Sequence, residues 1–216
     1  MKINKEIYKK IETIVRSEFV SDEEEDKFCY SYDAAGGKSL PDIVVRPGTA
    51  EEISKIIMLA NEYLIPVIPR GSGSGFVGGS TPVCGGIVLV LTRMSKIIFV
   101  DEDNLTAEVE PAVITQKLQQ EVEKLGLFYP PDPASLKFST IGGNVAVNSG
   151  GPRAIKYGVT KDYILGLEAV LPTGEIIHTG VKTVKGVVGY DLTRLLIGSE
   201  GTLGVITKIL LKLLPK

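Results

Sequence analysis

The stretch Pro69-Arg70-Gly71-Ser72-Gly73-Ser74-Gly75, which continues through Gly78-Gly79, decides the fold of this chain. We call residues 69–79 the first glycine loop. A second glycine loop, residues 139–151, begins Ser139-Thr140-Ile141-Gly142-Gly143-Asn144 and ends at Gly150-Gly151. Glycine lets backbone N–H groups approach a ligand without a Cβ in the way, and successive amides form a concave anion site. Two such loops predict a large phosphate-bearing ligand that is held at two places.

The residues after the first glycine loop exclude a nicotinamide-type dinucleotide site. Gly73 to Gly78 matches G-x-G-x-x-G, but that motif must open a helix that packs on the sheet. Residues 78–86 instead contain two glycine pairs and Pro82, which cannot sustain a helix. A Walker A loop is also excluded, because no Gly-Lys-Ser/Thr follows.

Composition bounds the class of protein. The chain has 216 residues, 44% of them hydrophobic, and a formal net charge of −2, which argues against a general nucleic-acid binder. Cys29 and Cys84 do not resemble a secreted disulfide framework, and we expect two free thiols that pack as small apolar groups. The N-terminus lacks the apolar core of a secretion signal, and no apolar run has the length of a membrane span. We therefore expect a cytoplasmic protein.

Hydrophobic spacing places the first elements. It predicts a helix over residues 3–18, followed by an acidic run at 21–26 that is either a solvated linker or a helix start. A strand at 41–46, a helix from Thr49 as N-cap to about Asn61, and a strand at 66–69 then read as β-α-β before the first glycine loop.

The remaining elements are predicted in the same way, with one ambiguity. Residues 203–214 are apolar throughout and suit either a strand or a helix, although β-branched residues favour a strand at the start. The other expected elements are strands at 87–91, 96–100, 105–109, 163–171 and 175–178, and helices at 114–125 and 191–196.

The order of the longer motifs carries a family resemblance. PRGSGSG, PPDP, STIGGNVAVNSGG, KYGVTKDYILGLEAVLPTGE and GYDLTRLLIGSEGTLGVIT follow one another along the chain. This order resembles the FAD-binding domain of the vanillyl-alcohol oxidase type, also called PCMH-type. Within that superfamily the chain is most similar to glycolate oxidase D subunits and to D-lactate and D-2-hydroxyglutarate dehydrogenases. The resemblance runs from about Tyr32 to Pro215.

The resemblance implies an α+β, two-lobed, PCMH-type fold. A small mixed α/β lobe would cover about 31–100, and a larger lobe with an antiparallel sheet flanked by helices would cover about 101–216. Residues 1–30 would form an N-terminal helix and acidic linker before the FAD-binding domain at 31–216. The C-terminal cap domain of such enzymes is expected to be absent from this sequence.

The resemblance also implies the cofactor contacts, with FAD bound between the lobes. The first glycine loop would wrap the pyrophosphate through its amides, and the second would complete the pyrophosphate and ribitol contacts. Asn148, Gly150 and Gly151 would approach the flavin, and the segment from Glu200 would contact the adenosine half. The implied residues are Pro69, Arg70, Gly71, Ser72, Gly73, Ser74, Gly75, Asp132, Ser135, Ser139, Thr140, Gly142, Gly143, Asn144, Asn148, Gly150, Gly151, Glu200, Gly201, Gly204, Val205 and Ile206.

Several side chains keep alternative roles. Arg70 would either pair with phosphate or brace its loop. Asp191 and Arg194 favour a local ion pair over ligand contacts, and Tyr157 and Tyr190 favour packing. Some relatives attach flavin through a histidine in the first glycine loop, but the sole histidine here is His178, so we expect non-covalent FAD and no metal site.

The expected function is hydride transfer from C2 of a small 2-hydroxy acid, such as glycolate or D-lactate, to flavin N5 once a cap domain is present. The catalytic residues are not identified by the sequence. The alternative is a flavin-carrying electron-transfer or assembly module that lacks its own substrate site. A partner subunit or a homodimer is expected to cover the exposed apolar cleft.

Overall fold

The computed structural model describes residues 3–183 and 185–216. Two larger sheets and a two-stranded ribbon are flanked by helices. The helices are α1 Lys5–Val15, α2 Glu24–Cys29, α3 Ala50–Glu62, α4 Thr115–Glu123, α5 Ile141–Val147, α6 Ala154–Tyr157 and α7 Leu192–Leu196. The strands are β1 Val20–Ser21, β2 Ile43–Val45, β3 Val67–Arg70, β4 Ile87–Val90, β5 Ile97–Asp101, β6 Thr106–Val109, β7 Leu127–Phe128, β8 Ile164–Val170, β9 Ile176–Gly180, β10 Val205–Lys212 and β11 Leu214–Pro215.

The first sheet has the order β1-β2-β4-β3 and contains the predicted β-α-β unit. Strands β2 and β3 both pair in parallel with β4, and α3 connects β2 to β3. Thr49 caps α3 by accepting a hydrogen bond from the amide of Glu52 at 3.2 Å, as its sequence position predicts. The carboxyl end of β3 leads directly into the first glycine loop, and ligands of such sheets bind at this edge.

The N-terminal residues pack into the same lobe as this sheet. The buried face of α1, formed by Ile7, Ile11 and Val15, lies in one apolar core with residues of α3. Strand β1 pairs antiparallel with β2 and extends the sheet by one edge strand. The acidic run begins a short helix, α2, which was one of the two alternatives for that segment.

The second sheet has the order β5-β6-β10-β8-β9 and is antiparallel throughout. The ambiguous segment at 203–214 forms the central strand β10, so the strand alternative is correct. Its residues are buried almost without interruption, which removes the alternation that marks a half-buried strand. Helices α4 and α5 contribute Leu118 and Ile141 to the core beneath this sheet.

The two lobes are joined by side-chain contacts as well as by the chain. Ser54 and Asn61 on α3 donate hydrogen bonds to the carbonyl oxygens of Gly174 and Pro172 in the β8–β9 turn, at 2.5 and 2.6 Å. Val205, at the start of β10, is buried in the core of the first lobe, whereas Ile209 on the same strand lies in the core of the second. One strand therefore contributes to both cores.

Two minor expectations are wrong. Cys29 and Cys84 are free thiols, but both are exposed and do not pack as small apolar groups. The Tyr190 side chain is 97% exposed and does not pack, whereas the ring of Tyr157 packs edge-on against Phe128 with centroids 5.5 Å apart. No helix within the described ranges combines the length and apolarity that a membrane crossing requires.

Candidate cofactor cleft

A cleft of about 490 Å³ lies where the first glycine loop meets α5 and the start of β10. Its volume falls within the range of roughly 300–1,000 Å³ that is usual for small-molecule and cofactor sites. All the residues that the resemblance implies line this cleft except Asp132 and Gly151. The structure thus brings together three segments that are far apart in the sequence: the first glycine loop, the second glycine loop, and residues 200–206.

The first glycine loop is irregular, as the glycine pairs and Pro82 predict, and no helix follows it before β4. Within the described structure, none of the backbone N–H groups of Gly71 to Gly75 donates a hydrogen bond to another protein atom. A Cβ on Gly75 would meet no atom within 4 Å, so the backbone there faces open space. This run of free donors in a concave loop suits an anionic group such as a pyrophosphate.

Arg70 braces the first glycine loop from below. Its Nη1 donates to the carbonyl oxygen of Ser80 at 3.2 Å, and its Cζ would lie 2.6 Å from a Cβ on Gly73. Gly73 has φ +69°, so both its left-handed backbone and this contact require glycine. The Arg70 side chain is buried, and that burial lowers the pKa of its guanidinium, while the nearby Asp33 carboxylate opposes the shift.

The second glycine loop has a different hydrogen-bonding state. Thr140 caps α5 by accepting from the amide of Gly143 at 3.2 Å, and the amide of Gly142 donates to the carbonyl oxygen of Pro111 at 2.8 Å. The hydroxyl of Ser139 lies 2.9 Å from the Thr115 hydroxyl, and the buried Asn144 side chain donates to Thr115 at 2.7 Å. The interpretation of Gly142 and Gly143 as open amides is therefore wrong, because Pro111 and Thr140 already accept hydrogen bonds from them.

The Asn144 and Asn148 pair lies on α5 and its end, as the spacing of four predicts for a helix that starts here. Asn148 has φ 49° and terminates α5 in the left-handed conformation that asparagine tolerates. Its Oδ1 accepts a hydrogen bond from the Lys161 amide at 2.9 Å. Both asparagines line the cleft, but each has a structural partner.

Asp132 and Gly151 lie just behind the cleft wall. Asp132 accepts from the Arg153 amide at 3.0 Å and forms an ion pair with Arg153 at 3.4 Å. A Cβ on Gly151 would lie 2.5 Å from Asp132 Oδ1, so the glycine permits this close approach. The two residues contact each other instead of the cavity, and they fix the chain that enters α6.

The segment from Glu200 to Ile206 forms the opposite wall. Glu200 has φ 55°, an uncommon backbone state for a residue other than glycine, and its amide donates to the Ala146 carbonyl oxygen at 2.8 Å. Gly201 packs against Pro69, where a Cβ would lie 3.1 Å from the proline ring. Gly204, Val205 and Ile206 lead into β10 and line the cleft while the two apolar side chains pack in the cores.

Asp191, Arg194 and His178 lie outside the cleft. Arg194 forms an ion pair with Asp191 at 3.3 Å, as expected, and Asp191 caps α7. His178 pairs with the buried carboxylate of Glu168 at 2.9 Å on the second sheet, outside the cleft. Within residues 3–183 and 185–216, no cluster of three or more His, Cys, Asp and Glu side chains has the arrangement of a metal site.

Sequence reasoning missed part of the cleft wall. Asp33 lies there, although it belongs to the loop before β2, and Pro111 and Pro133 also contribute. Phe76, Val77 and Val147 supply exposed apolar surface at the cavity. Phe76 and Val77 could have been found from the sequence, because two large apolar residues between glycines are unusual in a simple turn. No local pattern marks Asp33.

A family model described as "FAD binding domain" matches residues 41–180. The chain belongs to this family of FAD-binding domains. The free amides of the first glycine loop and the side-chain-free backbone at Gly75 fit the cofactor, because they leave room and donors for a pyrophosphate.

Two relatives illustrate the similarity. The chain is 50% identical to the glycolate oxidase subunit GlcD of Bacillus subtilis (strain 168), over 99% of this chain and 46% of that protein. It is 43% identical to the D-lactate dehydrogenase of Anaerostipes hadrus, over 99% of this chain and 45% of that protein. The chain therefore spans less than half the length of these relatives.

Solved structures show the same fold. An alkyldihydroxyacetonephosphate synthase superposes with a TM-score of 0.86 at 27% identity, over 99% of this chain and 41% of that one. A p-cresol methylhydroxylase superposes with a TM-score of 0.84 at 24% identity, over 98% of this chain and 43% of that one, and this shows the fold alone. The PCMH-type fold that the motifs imply is confirmed.

Proposed function

We propose that this FAD-binding domain serves an oxidoreductase that oxidises a small D-2-hydroxy acid such as glycolate or D-lactate. The observation that carries the proposal is the run of free amides at Gly71 to Gly75 in a cleft shared with Asn148 and Gly204. The names of the two relatives supply the substrate class. Bound FAD would supply the hydride acceptor, its N5, for the hydrogen on C2 of the substrate.

The residues of this chain would bind and orient the cofactor. The amides of Gly71 to Gly75 would donate to the pyrophosphate, and the Thr140 hydroxyl, whose oxygen caps α5, would donate its own hydrogen into the cleft. The wall formed by Glu200 and Gly201 would contact the cofactor mainly through its main chain. Asp132 and Gly151 would act indirectly, by fixing the turn that follows Gly150.

The flavin is expected to be bound non-covalently. The first glycine loop contains no histidine, and His178 lies on β9 away from the cavity. Precipitation of the holoprotein with acid should release the flavin into the supernatant. Flavin that stays with the denatured protein would contradict this expectation.

The activity is tested with the protein purified from its own source, at the length the cell makes it. Anaerobic addition of D-lactate or glycolate should bleach the flavin absorption, whereas L-lactate should leave it unchanged. Protein that binds FAD but is reduced by neither acid would contradict the proposed activity. Protein that does not retain or rebind FAD would contradict the cofactor assignment itself.

A second candidate is a flavin-carrying electron-transfer or assembly module. The charged side chains among the described residues that line the cleft are Asp33, Arg70 and Glu200. Asp33 and Arg70 are buried in the wall, and no histidine or lysine of the described residues lines the cavity. The bound flavin can be reduced with dithionite and reoxidised with an acceptor dye. If it passes this test but no 2-hydroxy acid reduces it, the result would favour the electron-transfer or assembly module.

We also propose a partner subunit or a homodimer, and a cytoplasmic location. Val187, Val188 and Tyr190 expose large apolar side chains on one loop, and the Bacillus relative is by name a subunit. Gel filtration at several protein concentrations should show association. A strict monomer at every concentration would contradict the homodimer.

A further inference from the structure

Two buried side chains of opposite charge lie in the cleft wall beneath the first glycine loop. Asp33 and Arg70 are each only 6% exposed, and both line the cavity. They come from different segments, the loop before β2 and the end of β3. Buried charges are rare without partners, because removing them from water is costly.

The Asp33 carboxylate is held by its own loop. Its Oδ1 accepts from the Ala35 amide at 2.9 Å, and its carbonyl oxygen accepts from the Gly36 amide at 3.3 Å. Its Oδ2 is buried and has no hydrogen-bond partner within the described structure. One oxygen is thus fixed by the turn, and the other is left to act through its charge.

The Arg70 guanidinium has polar and aromatic contacts but no close carboxylate. It donates to the Ser80 carbonyl oxygen, and its Cζ lies 5.5 Å from the centroid of the Tyr30 ring. No carboxylate oxygen among residues 3–183 and 185–216 lies within 4.0 Å of its nitrogens. Asp33 lines the same cavity, and its carboxylate opposes the lowering of the Arg70 pKa by burial.

We infer that Asp33 is a positioning residue for cofactor binding, an inference that rests on the proposed function. Its charge holds the Arg70 guanidinium against the backbone of Gly73, and the guanidinium keeps the first glycine loop in the shape that exposes its amides. Without the carboxylate, the buried guanidinium would turn toward water and the loop would lose its support. Asp33 therefore controls affinity for the pyrophosphate without contacting it.

The test is FAD and ADP titration of the chain with substitutions at both positions. D33N keeps the shape and the Oδ1 acceptor but removes the charge, and it should weaken FAD and ADP binding by about tenfold each. D33E restores the charge and should stay within about threefold of the parent. In an R70Q background, which should itself bind weakly, D33N should cause no further loss, because the two groups act as one unit.

D42N is the matched control. Asp42 lies in the same lobe outside the cleft, where its Oδ2 accepts from the Gly86 amide at 2.7 Å, and an asparagine oxygen can still accept there. The FAD affinity of D42N should equal that of the parent.

Two outcomes would overturn the inference: an unchanged FAD affinity in D33N, or a full D33N effect that persists in the R70Q background. A parent chain that binds neither FAD nor ADP would count against the proposed function instead. If D33N fails to fold, R70Q still tests the inference. An R70Q variant that binds FAD and ADP with the affinity of the parent would overturn it, because Asp33 is proposed to act through Arg70.

Discussion

The two glycine loops share a composition but have opposite hydrogen-bonding states. The first leaves the amides of Gly71 to Gly75 without protein partners, whereas the second has its Gly142 and Gly143 amides engaged by Pro111 and Thr140. Glycine at Gly75 keeps space open for a ligand, but glycine at Gly142 lets two parts of the protein touch. Glycine-rich sequence alone therefore does not reveal whether a loop binds a ligand or supports the loop that does.

The largest expected effect tests the structural role of the second glycine loop. A valine at Gly142 would place its Cβ about 2.6 Å from the Pro111 Cβ, which is too close for any real contact. Overpacking of this kind costs roughly 1–3 kcal/mol or more, a large part of the stability of a domain. Urea denaturation of the apoprotein should show a strongly lowered midpoint for G142V. An unchanged midpoint would mean that the loop is looser than the structure shows.

The next effect tests the ligand role of the first glycine loop. G75V should leave the free energy of unfolding within about 0.5 kcal/mol of the parent, because its side chain meets open space. The side chain would occupy the cleft, so FAD affinity should fall about a hundredfold, or about 2.7 kcal/mol. The control is G37V, which is equally unobstructed but lies outside the cleft. FAD binding by G75V at parental affinity would show that the cofactor avoids this loop.

A smaller effect tests Thr140 as the N-cap of α5. T140A removes the N-cap of α5 and should lower the free energy of unfolding by about 1 kcal/mol. T140S keeps the hydroxyl and should restore most of that loss in urea denaturation. If both variants unfold like the parent, the hydroxyl does not cap the helix in solution.

The smallest effect concerns the serines of the first glycine loop. The hydroxyls of Ser72 and Ser74 lie 3.3 Å apart on the surface. The double variant S72A/S74A should change FAD affinity by less than about threefold, because the amides carry the contact and they remain. Fluorescence titration measures this directly. A loss of tenfold or more would assign the contact to the side chains.

The elements that the sequence predicted well are those with local signals. The Thr49 cap, the β8–β9 hairpin at Pro172 to Gly174, and the absence of a helix after the first glycine loop each depend on neighbouring residues. The role of the second glycine loop depends on Pro111 and Thr115, whose approach is set by the packing of the second sheet. Asp33 escaped prediction because a lone aspartate in a polar loop is ordinary until the fold places it in the same cavity wall as Arg70.

Strand β10 has a consequence for how the molecule folds. It starts in the core of the first lobe at Val205, pairs with β8 along most of its length and pairs with β6 over its second half, so that Ile209 lies opposite both Val109 and Leu167. Neither core is complete until this late segment has arrived. This long-range pairing costs chain entropy before the burial of either core can stabilise the fold. The chain should therefore fold slowly and unfold in a single cooperative transition. Loss of β10 would then abolish both lobes together instead of leaving one of them intact.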